Sequence, residues 1–109
     1  MAASDPGSPF ELSFNEHTRE RLRKLFHRAV VVGARDRFAR AMAEIETALR
    51  TGPRTWGDPI GNVTGMRMVR YRKIHDRLRV IYAVHIDRPA VWLLLVEPLR
   101  RNPLWVGEG

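Results

Sequence analysis

The sequence predicts an α+β domain in which a strand and a helical hairpin pack on an antiparallel sheet. Three observations carry that expectation. Two stretches of the first half repeat apolar residues at helical spacing, and the second half alternates apolar and polar residues in strand-length runs separated by turn residues. The resulting order is strand, helix, helix, strand, strand, strand, with no internal repeat and no interdomain linker. Such segregation of helices from strands places the helices on one sheet face.

Residues 1–9 (MAASDPGSP) read as a disordered lead, and residues 10–109 as a single domain. Phe10-Glu11-Leu12-Ser13-Phe14 alternates as a short first strand. Asn15 is a good helix N-cap, with Glu16 in the first turn. Leu22, Leu25, Phe26, Ala29 and Val30 form the apolar stripe of the first helix, and Arg19, Arg23, Lys24 and Arg28 its basic face. Val31-Val32-Gly33 breaks that helix, and Asp36 is placed to cap a second one. Its stripe is Phe38, Ala41, Met42, Ile45, Ala48 and Leu49, and Gly52-Pro53 stops it. The two helices are expected to form an antiparallel hairpin. Thr55 to Thr64 (TWGDPIGNVT) reads as a loop. Strands follow at about Met66–Ile74, Arg77–Ile86 and Val91–Val96. The last is apolar on both faces, so it is expected at the sheet centre and covered on both sides.

The stretch Arg67 to Arg79 (RMVRYRKIHDRLR) holds six basic residues and one acid, Asp76. A hairpin turning at His75-Asp76, with Ile74 opposite Arg77, sets Arg72 across from Arg79. Alternation then gathers Val69, Tyr71, Leu78, Val80, Tyr82 and Val84 on an inward face. The other face collects Arg70, Arg72, Arg77 and Arg79 with Ile74 and Ile81. Like charges directly opposite on a sheet are destabilising. An anion between Arg72 and Arg79 would relieve that, and paired guanidinium forks match phosphate geometry. A solvated arginine-rich sheet face is the competing explanation.

Charge and composition bound the partners. The net charge is +7, from 19 Lys+Arg against 12 Asp+Glu, and lysine stands only at Lys24 and Lys73. That balance favours a polyanionic partner such as nucleic acid, a ribonucleoprotein or an acidic protein. With no cysteine, disulfides, thiol catalysis and cysteine-ligated metals are excluded. The longest apolar run, Ala90 to Val96, is far too short to cross a bilayer, and Met1 to Pro9 lacks a leader's apolar region, so a cytoplasmic location is expected. No His and carboxylate cluster has metal-ligand spacing, and no cofactor is expected.

Metal-free RNA cleavage needs a base for the 2′-hydroxyl, cations for the transition state and an acid for the leaving oxygen. Arg70, Arg72 and Arg79 are candidate cations. His75 is the best candidate for proton transfer, since a turn imidazole titrates near neutrality; an ordinary exposed turn histidine is the alternative. In the tail, Trp105 could stack on a base beside phosphate held by Arg100 and Arg101, or could pack the tail onto the domain. Trp56 reads as a loop anchor and Trp92 as part of the central strand.

Met68-Val69-Arg70-Tyr71-Arg72, the segment Arg79 to Val84, and Val91 to Val96 after a short turn resemble the RelE/ParE toxin superfamily of bacterial type II toxin–antitoxin systems. The Leu49-Arg50-Thr51-Gly52-Pro53 helix exit fits as well, and the resemblance covers most of the chain from Phe10 onward. It implies a helical hairpin packed on a curved antiparallel sheet. RelE-like members inhibit translation as metal-independent endoribonucleases that cut mRNA in the ribosomal A site with basic sheet residues. ParE-like members keep the fold and poison DNA gyrase. Both kinds are neutralised by an antitoxin, here expected to be small and acidic. Carried over, Arg79 looks like the family's strand arginine, and Arg70 and Arg72 like its paired basic residues. Arg100 or Arg101 matches a basic residue after the last strand. Taken with the residues' own chemistry, the expected site has Arg72, Arg79 and His75 as catalytic, with Arg70, Arg77, Arg100, Arg101 and Trp105 on RNA. Trp105 falls where a catalytic tyrosine is often found, and an indole has no acidic hydroxyl. A non-enzymatic binding module of the same fold, aimed at gyrase or another protein, and an inactive relic stand as alternatives.

Overall fold

The computed structural model describes residues 9–99. Their elements are β1 (Glu11–Ser13), α1 (Glu16–Val31), α2 (Arg35–Thr51), α3 (Pro53–Trp56), β2 (Asp58–Val63), β3 (Met68–His75), β4 (Leu78–His85) and β5 (Ala90–Pro98). Helix α1 begins where the Asn15 Oδ1 accepts the Thr18 N–H at 2.8 Å, which satisfies one of the first-turn donors. It ends in a Schellman motif. The Ala34 N–H reaches the Ala29 carbonyl (2.7 Å), and the Gly33 N–H the Val30 carbonyl (3.2 Å). Gly33 sits at φ +80°, a conformation that costs a side chain and that glycine adopts freely. The motif makes Ala34 the boundary of α2, so Asp36 falls in the first turn of that helix instead of capping it.

The five strands form one open, mixed sheet in the order β1-β5-β4-β3-β2. β1 runs parallel to β5, so the sheet is not wholly antiparallel as expected. The central strand is β4, not β5. β5 carries one extra residue, Leu94, where Ile81 pairs with Leu95 and Tyr82 with Leu93, the signature of a bulge. β1 gives out after Ser13 pairs with Trp92. Just beyond that point, the Thr18 hydroxyl of α1 donates to the Leu94 carbonyl (3.2 Å). This covers a backbone acceptor that the sheet leaves unpaired.

The expected loop at 55–64 is structured. It holds the end of α3 and all of β2. Pro59 and Gly61 disguise the strand, yet β2 is an edge strand, where a missing N–H is tolerated. Ile60 is its bulge residue.

The core lies between one sheet face and the helices. Tyr71, Leu78, Val80, Tyr82, Val84, Val91, Leu93 and Val96 meet Ala29, Phe38, Ala41, Ile45 and Leu49. Among the described residues the other sheet face carries no helix, and there Trp92 and Leu94 are 40% and 37% exposed. The second covering layer expected over β5 is thus not a helix among the described residues. No helix among the described residues is long and apolar enough to cross a membrane.

One buried phenol ties the two halves of the fold. The Tyr82 hydroxyl donates to the Pro53 carbonyl at 2.6 Å and accepts the Gly57 N–H at 2.9 Å. Tyr71 stacks on its ring with centroids 5.2 Å apart. A Cβ on Gly57 would lie 2.8 Å from both the Tyr82 hydroxyl and the Arg72 carbonyl, so only glycine fits. Burial pushes the Tyr82 phenol up to about 12 from its ordinary 10.0. A phenol whose folded pKa is raised stabilises the fold below the unfolded value, and that stability is lost as pH rises through 10 toward 12. Tyr82→Phe is expected to cost about 1–3 kcal/mol at neutral pH through the two unsatisfied backbone groups. It is also expected to flatten the alkaline decline, worth about 2 kcal/mol. Urea unfolding of both proteins between pH 8 and roughly 11.5 checks the two effects.

Candidate functional site

The arginine face is set by the turn between β3 and β4. Asp76 and Arg77 both have positive φ, 49° and 65°. Two consecutive left-handed residues make a type I′ turn, whose twist matches that of the flanking strands. Aspartate tolerates this conformation better than most residues. Arg37 of α2 holds its carboxylate with Nε at 3.3 Å and Nη2 at 2.9 Å. That hydrogen bond keeps Asp76 below the usual carboxylate range, against the upward push of burial.

The turn therefore falls at Asp76-Arg77, one residue later than expected, and the pairing shifts by two. Arg72 lies opposite Ile81, Arg70 opposite Ala83 and Ile74 opposite Arg79. Arg72 and Arg79 are not directly opposed, so no anion is needed to relieve that contact. A shift of two keeps each residue on its expected face. Arg70, Arg72 and Arg79 thus share the helix-free face with Ile74, Ile81 and Ala83. Arg72 and Arg79 stand diagonally, roughly 7–8 Å apart at the backbone.

Their electrostatic states differ. Arg79 is opposite Glu97 on β5, and its Nε and Nη2 both bind the Glu97 carboxylate. Arg21 of α1 approaches the same carboxylate at 3.9 Å. Arg79 is therefore neutralised within the protein. Arg70 and Arg72 are exposed and have no ion-pair partner among the described residues. Asp58 lies across from Arg72 in the β2–β3 register but forms no ion pair with it.

His75 is not on this face. It ends β3 on the helix side, with Nε2 at 2.7 Å from Oε1 of Glu44 and its ring 5.8 Å from Trp56. The expected grouping of His75 with Arg72 and Arg79 is thus broken by the parity of the strand. Arg77 is a turn residue whose carbonyl accepts the Leu99 N–H at 3.0 Å, not a member of the strand face. Arg100, Arg101 and Trp105 lie outside the described residues.

Two further residues share the face. His85 lies on it by register, opposite Met68. Its Nδ1 accepts the Asp87 N–H at 3.1 Å, which leaves the proton of the neutral ring on Nε2. Trp92 pairs with Ala83 and faces the same way. The sequence signal for Trp92 was its place beside Ala90 and Val91 in a run too apolar for one buried face. By contrast, Trp56 is half-buried on the helix side, with the Lys73 ammonium 5.6 Å from its ring and Tyr82 at 6.0 Å.

A cavity of about 460 Å³ lies on the helix side, lined by Leu12, Phe14, Leu22, Met42 and Leu93 among others. Its largely apolar walls suit no phosphate. Among the described residues no group of three or more His, Asp or Glu is gathered to hold a metal ion. The chain has no significant match to a family model, a curated protein or a solved structure.

Replacing Asp76 by Asn keeps a residue that tolerates the left-handed turn and removes only the charge. It is expected to cost about 1 kcal/mol at neutral pH. A depressed carboxylate pKa gives stability that is present above the unfolded value and lost as pH falls through the folded one. The gap between wild type and Asp76→Asn is therefore expected to close in acid. Thermal unfolding at pH 7 and in strong acid checks it.

Proposed function

We propose that this chain is a toxin-like protein of the RelE/ParE type that acts on single-stranded RNA through the helix-free face of its sheet. One observation carries the reading: Arg70 and Arg72 stand exposed and without ion-pair partners among the described residues, on a face with no helix over it. Two guanidinium groups at alternate positions of one strand match successive phosphates or the two free oxygens of one. The net charge of +7 draws a polyanion toward them. The resemblance supplies the substrate, mRNA on the ribosome, and the partner, a small acidic antitoxin that competes for the same cations. A cytoplasmic site of action goes with this reading.

For cleavage, Arg70 and Arg72 are the available cations. Arg79 serves as a structural member of the Glu97 pair, and His85 replaces His75 as the imidazole on the face. A specific observation favours a second reading, a protein target: the same face exposes Ile74, Trp92 and Leu94, enough apolar surface for protein contact. Purified ribosomes with a bound message separate the two. Cut mRNA supports the RNA reading, and intact mRNA under conditions of growth arrest supports the protein target.

Arg72→Glu is expected to abolish growth inhibition and to lower RNA affinity at least tenfold, with a melting temperature within about 2 °C of wild type, because the side chain is exposed. Wild-type toxicity in this variant removes the reading. Glu97→Gln is expected to do the opposite. It releases Arg79, raises RNA affinity several-fold and steepens the dependence of log affinity on log salt by about one. A salt titration of fluorescence anisotropy with a single-stranded oligonucleotide measures both.

A further inference from the structure

The open face holds an aromatic group that the phosphate contacts leave unused. Trp92 is 40% exposed, and its side chain has no hydrogen bond, ring contact or cation over it among the described residues. Its cross-strand neighbour is Ala83, and on the far side of Ala83 stands Arg70. The row Arg70–Ala83–Trp92 thus spans three adjacent strands, roughly 10 Å from end to end. Gly61 continues it on β2 and adds no side chain beyond Arg70. Although Ala83 faces the side without helices, it is only 2% exposed. The row carries an exposed indole at one end and an exposed guanidinium at the other.

We propose that this row is a seat for one unpaired nucleobase of single-stranded RNA, stacked on the Trp92 indole with an adjoining phosphate held by Arg70. The inference rests on the RNA reading above and deepens it by assigning a base-binding subsite apart from the Arg72 position. The chemistry is specific to unpaired bases. An indole on a sheet surface offers its π-face to a base that has left its stack, whereas paired bases show only their edges. The unpartnered Arg70 supplies the charge that an indole lacks. A protein partner would use the indole equally well but would leave Arg70 without a counter-charge unless it brought a carboxylate.

The test is binding of the full chain to three labelled probes of equal length: single-stranded oligoadenylate, the same backbone without bases, and an RNA duplex. Trp92→Leu is expected to weaken oligoadenylate binding roughly tenfold, since stacking of one base is worth about that ratio. It is expected to leave the abasic backbone and the duplex unchanged. Trp92→Phe keeps an aromatic face and is expected to stay within about threefold of wild type, which separates loss of stacking from loss of fold. Arg70→Gln is expected to weaken oligoadenylate and the abasic backbone alike and to lower the salt slope by about one. Unchanged oligoadenylate binding by Trp92→Leu overturns the seat. If Arg72→Glu still weakens binding in that case, the RNA reading survives. Equal losses on oligoadenylate and duplex also overturn it, and a wild-type chain that binds none of the probes removes the seat and the RNA reading together.

Discussion

The β3–β4 turn governs what the sheet can present. Asp76 and Arg77 both occupy left-handed conformations, and a two-residue turn of that kind permits only one pairing of the strands it joins. Arg37 secures it from α2 by gripping the Asp76 carboxylate. The helical layer therefore fixes the register of the hairpin, and the register decides which charges become neighbours on the opposite surface. A slip of one residue would send Arg70 and Arg72 into the core and Tyr71 out of it. Tyr71 stacked on Tyr82, with the Tyr82 hydroxyl anchored at Pro53, makes such a slip costly.

Within that register, position separates arginines that look alike in sequence. Arg79 falls beside Glu97, and its charge is spent inside the molecule. Arg70 and Arg72 fall beside Ala83 and Ile81 on β4, and Asp58, across from Arg72 on β2, forms no ion pair with it. Keeping two exposed guanidinium groups on β3 while a third, on β4, is neutralised concentrates positive potential on β3. An isolated reading of net charge would have spread it evenly over the face.

Much of this was legible from the sequence, for definable reasons. Helix periodicity, the Asn15 cap and the inward set on β3 and β4 follow from local rules that the packing does not override. The face of each arginine was also legible, because an even register shift conserves parity. The shift itself was not, since His75-Asp76 and Asp76-Arg77 are both plausible turns until Arg37 selects between them. β2 was hidden by Pro59 and Gly61, residues that a strand accepts only at an edge, and edge position is a property of the whole sheet. Glu97 as the partner of Arg79 depended on the β4–β5 register, which a bulge at Leu94 shifts by one residue. Trp92 was misjudged for a related reason: an apolar outward residue looks the same in sequence whether another layer covers it or not.

The uncovered face gains its meaning from the covered one. The inner surface is closed by aliphatic packing and by a phenol whose hydrogen bonds are both satisfied, so it resists deformation. The strands that present Arg70, Arg72 and Trp92 outward are the same strands that present Tyr71 and Leu93 inward. Side chains on such strands are held in position before any ligand arrives, and little ordering is needed at the backbone when one binds. Substitutions on the outer face are accordingly free to alter binding while the core stays as it is. Loss of the Tyr82 hydroxyl acts in the reverse sense, loosening the support at Gly57 that lies directly behind the Arg72 backbone.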